Sequence, residues 1–219
     1  MADSRPAGVR RVAKPTPGED ACRHLAWIIG KHGGPDVHGR ARHLLTEFGS
    51  LGAVLAASAT RLSRADGGVT TAYAEIGRFN AAASHVLLSR IIDRPVLGCW
   101  QQVHEYLRFA MSGKAHETFR VLHLDARNAL MEDELVSEGS GTRTPVSVRA
   151  VVARGIEMGS ASLILAHNHP SGDPAPSASD VDLTNRIVKA ARALEIDVID
   201  HLIVGSDRVF SFRLAGLLT

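Results

Sequence analysis

Cysteine is nearly missing: only Cys22 and Cys99 occur in 219 residues, far apart and in no CxxC pair. That scarcity excludes a disulfide scaffold and a cysteine-based zinc site, and two free thiols fit a reducing cytoplasm. Long apolar runs are missing too. A membrane helix needs roughly 20 consecutive apolar residues, whereas the longest candidates, 51–59 and 161–166, are core-sized. Charge of one sign is also absent. Twenty-five Lys and Arg against 23 Asp and Glu leave a formal net charge of +2, so composition does not announce a nucleic-acid binder. The opening stretch, MADSRPAGVRRVAKPTPGED, lacks the apolar core of a signal peptide. Its Pro, Gly, Arg and Lys content reads as a disordered lead over 1–18, with a DNA-tethering arm as the alternative. These absences lead us to expect a cytoplasmic chain with no membrane partner.

What is present is ordinary for a globular protein: 45% hydrophobic and 22% charged residues, with room for one full domain and a smaller one. Helical spacing governs 21–90. Leu25, Ile28 and Ile29 share a face, then Ala41, Leu44, Leu45 and Phe48, with Gly49 as the stop. A further helix starts at 51–57, Asp66-Gly67-Gly68 turns the chain, and the Ala-rich stretch 70–88 continues as helix. The junction falls at 90–94, just before Pro95. Beyond it the pattern predicts a helix over 100–111 and a hairpin of strands 119–124 and 129–137. A helix over 146–158 follows, stopped by Gly159. A short strand at 162–166, apolar from Leu163 on, reads as central. An amphipathic helix over 177–194 and strands 198–204 and 209–212, joined by Gly205-Ser206-Asp207, complete the chain. We therefore expect an α+β protein: a helical domain over 19–94 and an α/β or α+β domain over 98–219.

The chemistry concentrates in LILAHNHPSGDPAPSASD, residues 163–180. His167 and His169 lie two apart at a strand end, and period two sends both side chains to one face. Asp180 follows at the start of the next helix, after a Pro/Gly/Ser-rich loop that can turn it back beside the imidazoles. Two histidines and a carboxylate supply three ligands and leave a fourth position for water, the pattern of a catalytic zinc. Such a zinc brings the pKa of its water to about 7. The water also needs a base, and the acidic residues of MEDELVSEGS are the candidates. Glu132, Glu134 and Glu138 share a face by strict period two, so spacing makes Glu134 only the favourite. Ser177 has two readings. With Asp180 it forms S-x-x-D, a helix N-cap, which the local pattern favours. Alternatively its hydroxyl donates to the oxyanion of a substrate carbonyl. Asp200-His201, on a late strand, reads as a buried structural pair, with the carboxylate orienting a ligand histidine as the alternative.

These residues resemble a known family. His167-Asn168-His169, then Ser177 and Asp180, is similar to the JAB/MPN metalloprotease signature H-x-H-x7-S-x2-D with its upstream Glu. The match to the RadC (UPF0758) branch, long labelled DNA repair proteins, is closer. Glu134 to Gly139-Ser140, Asp200 to Gly205, and Ser211-Phe212 to Gly216-Leu217-Leu218 all keep that branch's spacing. The resemblance covers about residues 100–219. It implies a cytidine-deaminase-like α/β/α domain with a mixed sheet and a Zn2+ held by His167, His169 and Asp180. It also implies Glu134 as general acid/base, Ser177 as oxyanion stabiliser, and a zinc metallopeptidase acting on a peptide or protein substrate. The helical half resembles a helix-hairpin-helix more weakly. Its hairpin usually reads G-h-G, with h apolar; here Asp66-Gly67-Gly68-Val69 stands in that place, and Val69 replaces the second glycine. A hairpin that offers backbone N–H groups to phosphate needs glycine there, so a plain interhelical turn is expected.

Three functions follow. The first is a zinc-dependent hydrolase of peptide or isopeptide bonds. The second is a DNA-associated repair or recombination accessory, binding DNA weakly through the N-terminal domain, in which the metal domain is not a protease. The third is an interaction module with a structural metal. A base at Glu134 argues against the third, since a structural site has no use for one.

Overall fold

The computed structural model describes residues 17–30, 34–67, 70–111, 114–139, 146–206 and 208–218. Five helices come first: α1 (Pro17–Ile29), α2 (Val37–Phe48), α3 (Leu51–Ala56), α4 (Ala59–Asp66) and α5 (Thr70–Leu88). α1 starts inside the stretch expected to be a tail, because Pro is favoured at a helix's first position and Glu19 and Asp20 suit its first turn. The rest of that stretch lies outside the described residues. Caps set the other ends. Asp36, Ser50 and Ser58 accept from the backbone N–H groups of Gly39, Ala53 and Arg61. Gly49 (φ 78°) and Gly67 (φ 66°) close α2 and α4 in the left-handed region. Gly68 and Val69, on which the hairpin question turns, lie outside the described residues. Leu25, Ile29, Leu44, Leu62 and Ile76 form the buried core of this half.

The second half runs α6 (Trp100–Met111), β1 (Thr118–Leu124), β2 (Leu130–Glu138), α7 (Val148–Glu157), β3 (Ser162–Asn168), α8 (Ala178–Arg192), β4 (Asp197–Val204) and β5 (Val209–Ser211). The strands form one mixed sheet in the order β2-β1-β3-β4-β5. Only β3 and β4 are parallel, joined by the crossover helix α8. β3 is central and buried along its whole length, as its unbroken apolar run requires. α6 covers one face through Val103, Leu107 and Met111 against Leu122, Ile164 and Leu202. α7 and α8 cover the other, where Val151 and Ile187 meet Val121 and Leu165. The result is the α+β architecture expected from the sequence: a helical half, then an α/β/α domain. Among the described residues no helix is long and apolar enough to cross a membrane.

The junction between the halves is stitched down. Val96 N–H donates to Asn128 O at 2.8 Å, Asp93 N–H donates to Leu130 O at 3.1 Å, and Ile91 is fully buried in the α6 core. The β1–β2 turn is held by Asp125 Oδ1, which accepts from Arg127 N and Ala129 N, both at 2.8 Å. Asn128 takes the left-handed position (φ 57°) that asparagine tolerates. Beneath α6, Arg120 Nε donates to Asp133 Oδ1 at 2.8 Å and Oδ2 at 3.1 Å, and the Tyr106 hydroxyl donates to the same carboxylate. This pins β1, β2 and α6 to one buried anion.

Candidate metal centre

β3 carries His167 to its end, and His169 stands just past it, its backbone N–H held by Val204 O at 3.0 Å. The two Nε2 atoms lie 3.0 Å apart. Asp180, in the first turn of α8, completes the group. Its Oδ1 is 3.6 Å from His167 Nε2 and its Oδ2 is 3.5 Å from His169 Nε2. One donor atom from each residue falls within 4.8 Å of the others. Four ligands about 2.05 Å from a tetrahedral zinc sit about 3.3 Å from one another, so the observed spacings fit the ion. Donor chemistry agrees. His169 Nδ1 lies 2.7 Å from Asp173 O; a carbonyl only accepts, so that nitrogen holds the hydrogen and Nε2 faces inward with a lone pair. His167, His169 and Asp180 are thus brought together as the sequence led us to expect, and the set suits zinc.

Asp180 serves two structures at once. Ser177 accepts from Asp180 N at 3.3 Å, and Asp180 Oδ2 accepts from Ser177 N at 2.7 Å, a full capping box. The Ser177 hydroxyl donates to Asp180 Oδ2 at 2.6 Å. Burial pushes the Asp180 carboxyl upward, but these hydrogen bonds, with His167 and His169 nearby, outweigh it and hold the group below the usual carboxylate range. Ser177 is therefore a cap, placed within one side chain of the donors.

Glu134 lies elsewhere. It sits opposite Val121 on β1, which in turn pairs with Leu165 of β3. That is the row beside His167, on the same sheet face. Its Oε2 is 3.1 Å from His123 Nε2 and accepts from Arg154 Nε at 3.3 Å. The carboxylate is not hydrogen-bonded to the triad. Strict period two fails for one of its two rivals. A register slip between Leu135 and Ser137 puts Glu138 opposite Thr118, on the other face, whereas Glu132 stays opposite His123. His123 and Arg154 carried no motif. Their meeting with Glu134 depends on the β1–β2 register and the docking of α7, which no local pattern reveals.

Asp200 and His201 part company. Asp200 accepts from Ser211 Oγ at 2.5 Å, His201 N at 2.7 Å and Arg213 N at 2.9 Å, tying β4 to the turn after β5. The His201 ring instead places Nε2 2.8 Å from His167 Nδ1. Its burial, with His167 and His169 beside it, pushes it well below the ordinary histidine value. Burial likewise lowers His123 and His104. An unfolded chain protonates these three near pH 6.5, while the fold keeps them neutral to lower pH. Below about 6.5 the unfolded state therefore binds more protons, and stability drops as pH falls. The urea midpoint of chelator-treated protein should be lower at about pH 5.5 than at about pH 7.5; equal midpoints contradict the assignment.

The loop carrying His169 is locked backbone to backbone. Ser206 N donates to Gly172 O at 2.9 Å, and a Cβ on Gly205 would come within 2.4 Å of that same oxygen. A cleft opens beside Pro170, lined by Arg61 and Arg64 from the helical half and by Lys114, His116 and Glu138.

Comparison with known proteins agrees with this geometry. Residues 97–217 match the RadC-like JAB domain. A UPF0758 protein of Rhodobacter capsulatus is 45% identical over 183 residues, covering 84% of this chain and 86% of its own. A UPF0758 protein of Ruegeria pomeroyi is 39% identical over 183 residues, covering 84% and 82%. With the fold, the donor triad and these relatives in agreement, the chain belongs to the RadC-like JAB domain family, and its second half is a domain of the metal-dependent hydrolase type.

Proposed function

We propose that the chain hydrolyses peptide or isopeptide bonds with a zinc ion held by His167, His169 and Asp180. The observation that carries this reading is the convergence of two imidazole Nε2 atoms 3.0 Å apart on one carboxylate. Three protein donors of this kind suit a catalytic rather than a structural ion. Zinc in such a site supplies Lewis acidity, bringing a water's pKa to about 7 and polarising a carbonyl. The chain's own residues supply the rest. Glu134 Oε2 takes the proton of the attacking water and returns it to the departing amine. To do so its side chain leaves His123 and Arg154 and turns along the shared sheet face toward His167. Ser177 turns its hydroxyl hydrogen from Asp180 Oδ2 toward the oxyanion as charge develops there.

The test is metal analysis paired with a peptidase screen. Purified wild-type protein should hold zinc in stoichiometric amount, and His169→Ala should lose it, since two ligands grip far more weakly than three. Zinc retained in full by His169→Ala rules out this ligand set.

A further inference from the structure

The proton positions at the triad are fixed from behind it. Thr184, one helical turn beyond Asp180, has its Oγ1 2.6 Å from Asp180 O and 2.6 Å from His201 Nδ1. An oxygen–oxygen contact that short holds a hydrogen, and a carbonyl has none to give. The single hydroxyl hydrogen of Thr184 is therefore committed to Asp180 O. Toward His201 the hydroxyl offers only a lone pair, so His201 Nδ1 carries the hydrogen. Phe119, Phe212, His167 and Thr184 lie against that ring, and none of them is acidic. A neutral ring with hydrogen on Nδ1 is bare at Nε2. That bare atom lies 2.8 Å from His167 Nδ1, so the hydrogen in this contact belongs to His167. His167 Nε2 is then left bare, facing His169 Nε2 and Asp180 Oδ1.

We infer that Thr184 and His201 are positioning residues that set the tautomer of His167, so that its Nε2 always meets the metal as a lone pair. The relay rests on the reading of His167 as a ligand. It runs from the main chain of α8 through a ring on β4 to a ring on β3, the three elements that also bring the donors together. A histidine ligand held through its far nitrogen is the usual way such rings are oriented. Here the anchor is a second histidine, whose own tautomer is dictated by a threonine hydroxyl.

Two measurements test this on the full-length chain. Nitrogen NMR of the imidazole rings in chelator-treated protein should show His167 and His201 both protonated at Nδ1 and bare at Nε2. Zinc affinity, read by competition with a chromophoric chelator, should weaken roughly 10- to 100-fold in Thr184→Val. The Thr184→Ser variant restores the hydroxyl and should bind as wild type does. The inference is overturned if His167 carries its hydrogen on Nε2. It also fails if a folded Thr184→Val binds zinc as tightly as wild type, or if Thr184→Ser binds as weakly as the valine variant. Should the valine variant not fold, the wild-type spectra and the serine variant still decide. A wild type that binds no zinc ends the hydrolase reading alone, because the ring spectra of the metal-free chain judge the relay separately.

Discussion

Glu134→Gln should keep the full metal content while hydrolysis falls roughly 100- to 10,000-fold. The amide has the size of the carboxylate but cannot carry a proton between water and leaving group. The side chain is not one of the three donors, so the metal count stays. Its present contacts survive in part, since the amide oxygen still accepts from Arg154 Nε, which now stands 3.3 Å from Glu134 Oε2. Elemental analysis and turnover of a cleaved peptide, measured on one preparation, read both effects. Glu132→Gln is the comparison that matters, because Glu132 shares the sheet face. Full activity in Glu134→Gln, with loss in Glu132→Gln, would move the proton-handling role two residues along β2.

A larger effect on stability is expected from Arg120→Ala. The Asp133 side chain is 1% exposed, and Arg120 is the cation hydrogen-bonded to it, with Lys114 acting on it electrostatically. Truncation leaves a buried carboxylate with, among the described residues, the Tyr106 hydroxyl as its remaining hydrogen-bond donor, which costs about 3–5 kcal/mol. Urea unfolding measures this directly. Because the penalty is that of an orphaned charge, Arg120→Ala combined with Asp133→Asn should cost less than the two single changes added together. Strict additivity would mean that the pair does not act as a unit.

Much of this was legible in the sequence because it is local. Helix α5 is bounded as expected at Thr70 and Leu88, and α6 at Trp100 and Met111, since caps, glycines and periodicity act within a few residues. The H-x-H pair shares a face for the same reason: strand geometry alone sets it. What escaped is long-range. The bulge that turns Glu138 away appears only when β2 meets β1. The split between Asp200 and His201 follows from the register of β4 on β3, where His201 pairs with Leu165. Thr184 left one trace, its spacing of four from Asp180, which places both on one side of a helix. Without the parallel pairing of β3 and β4, nothing said that a histidine would stand opposite it.

The capping box has a thermodynamic corollary. One carboxylate both finishes the first turn of α8 and belongs to the donor set, so ion loading and fraying of that turn draw on a single group. Whatever an ion gains from Asp180 Oδ2 it takes partly from Ser177, and reciprocity makes the helix end sense occupancy as surely as occupancy senses the helix end. Amide exchange over 178–181 is thus a built-in gauge of how full the site is, readable with no substrate in hand.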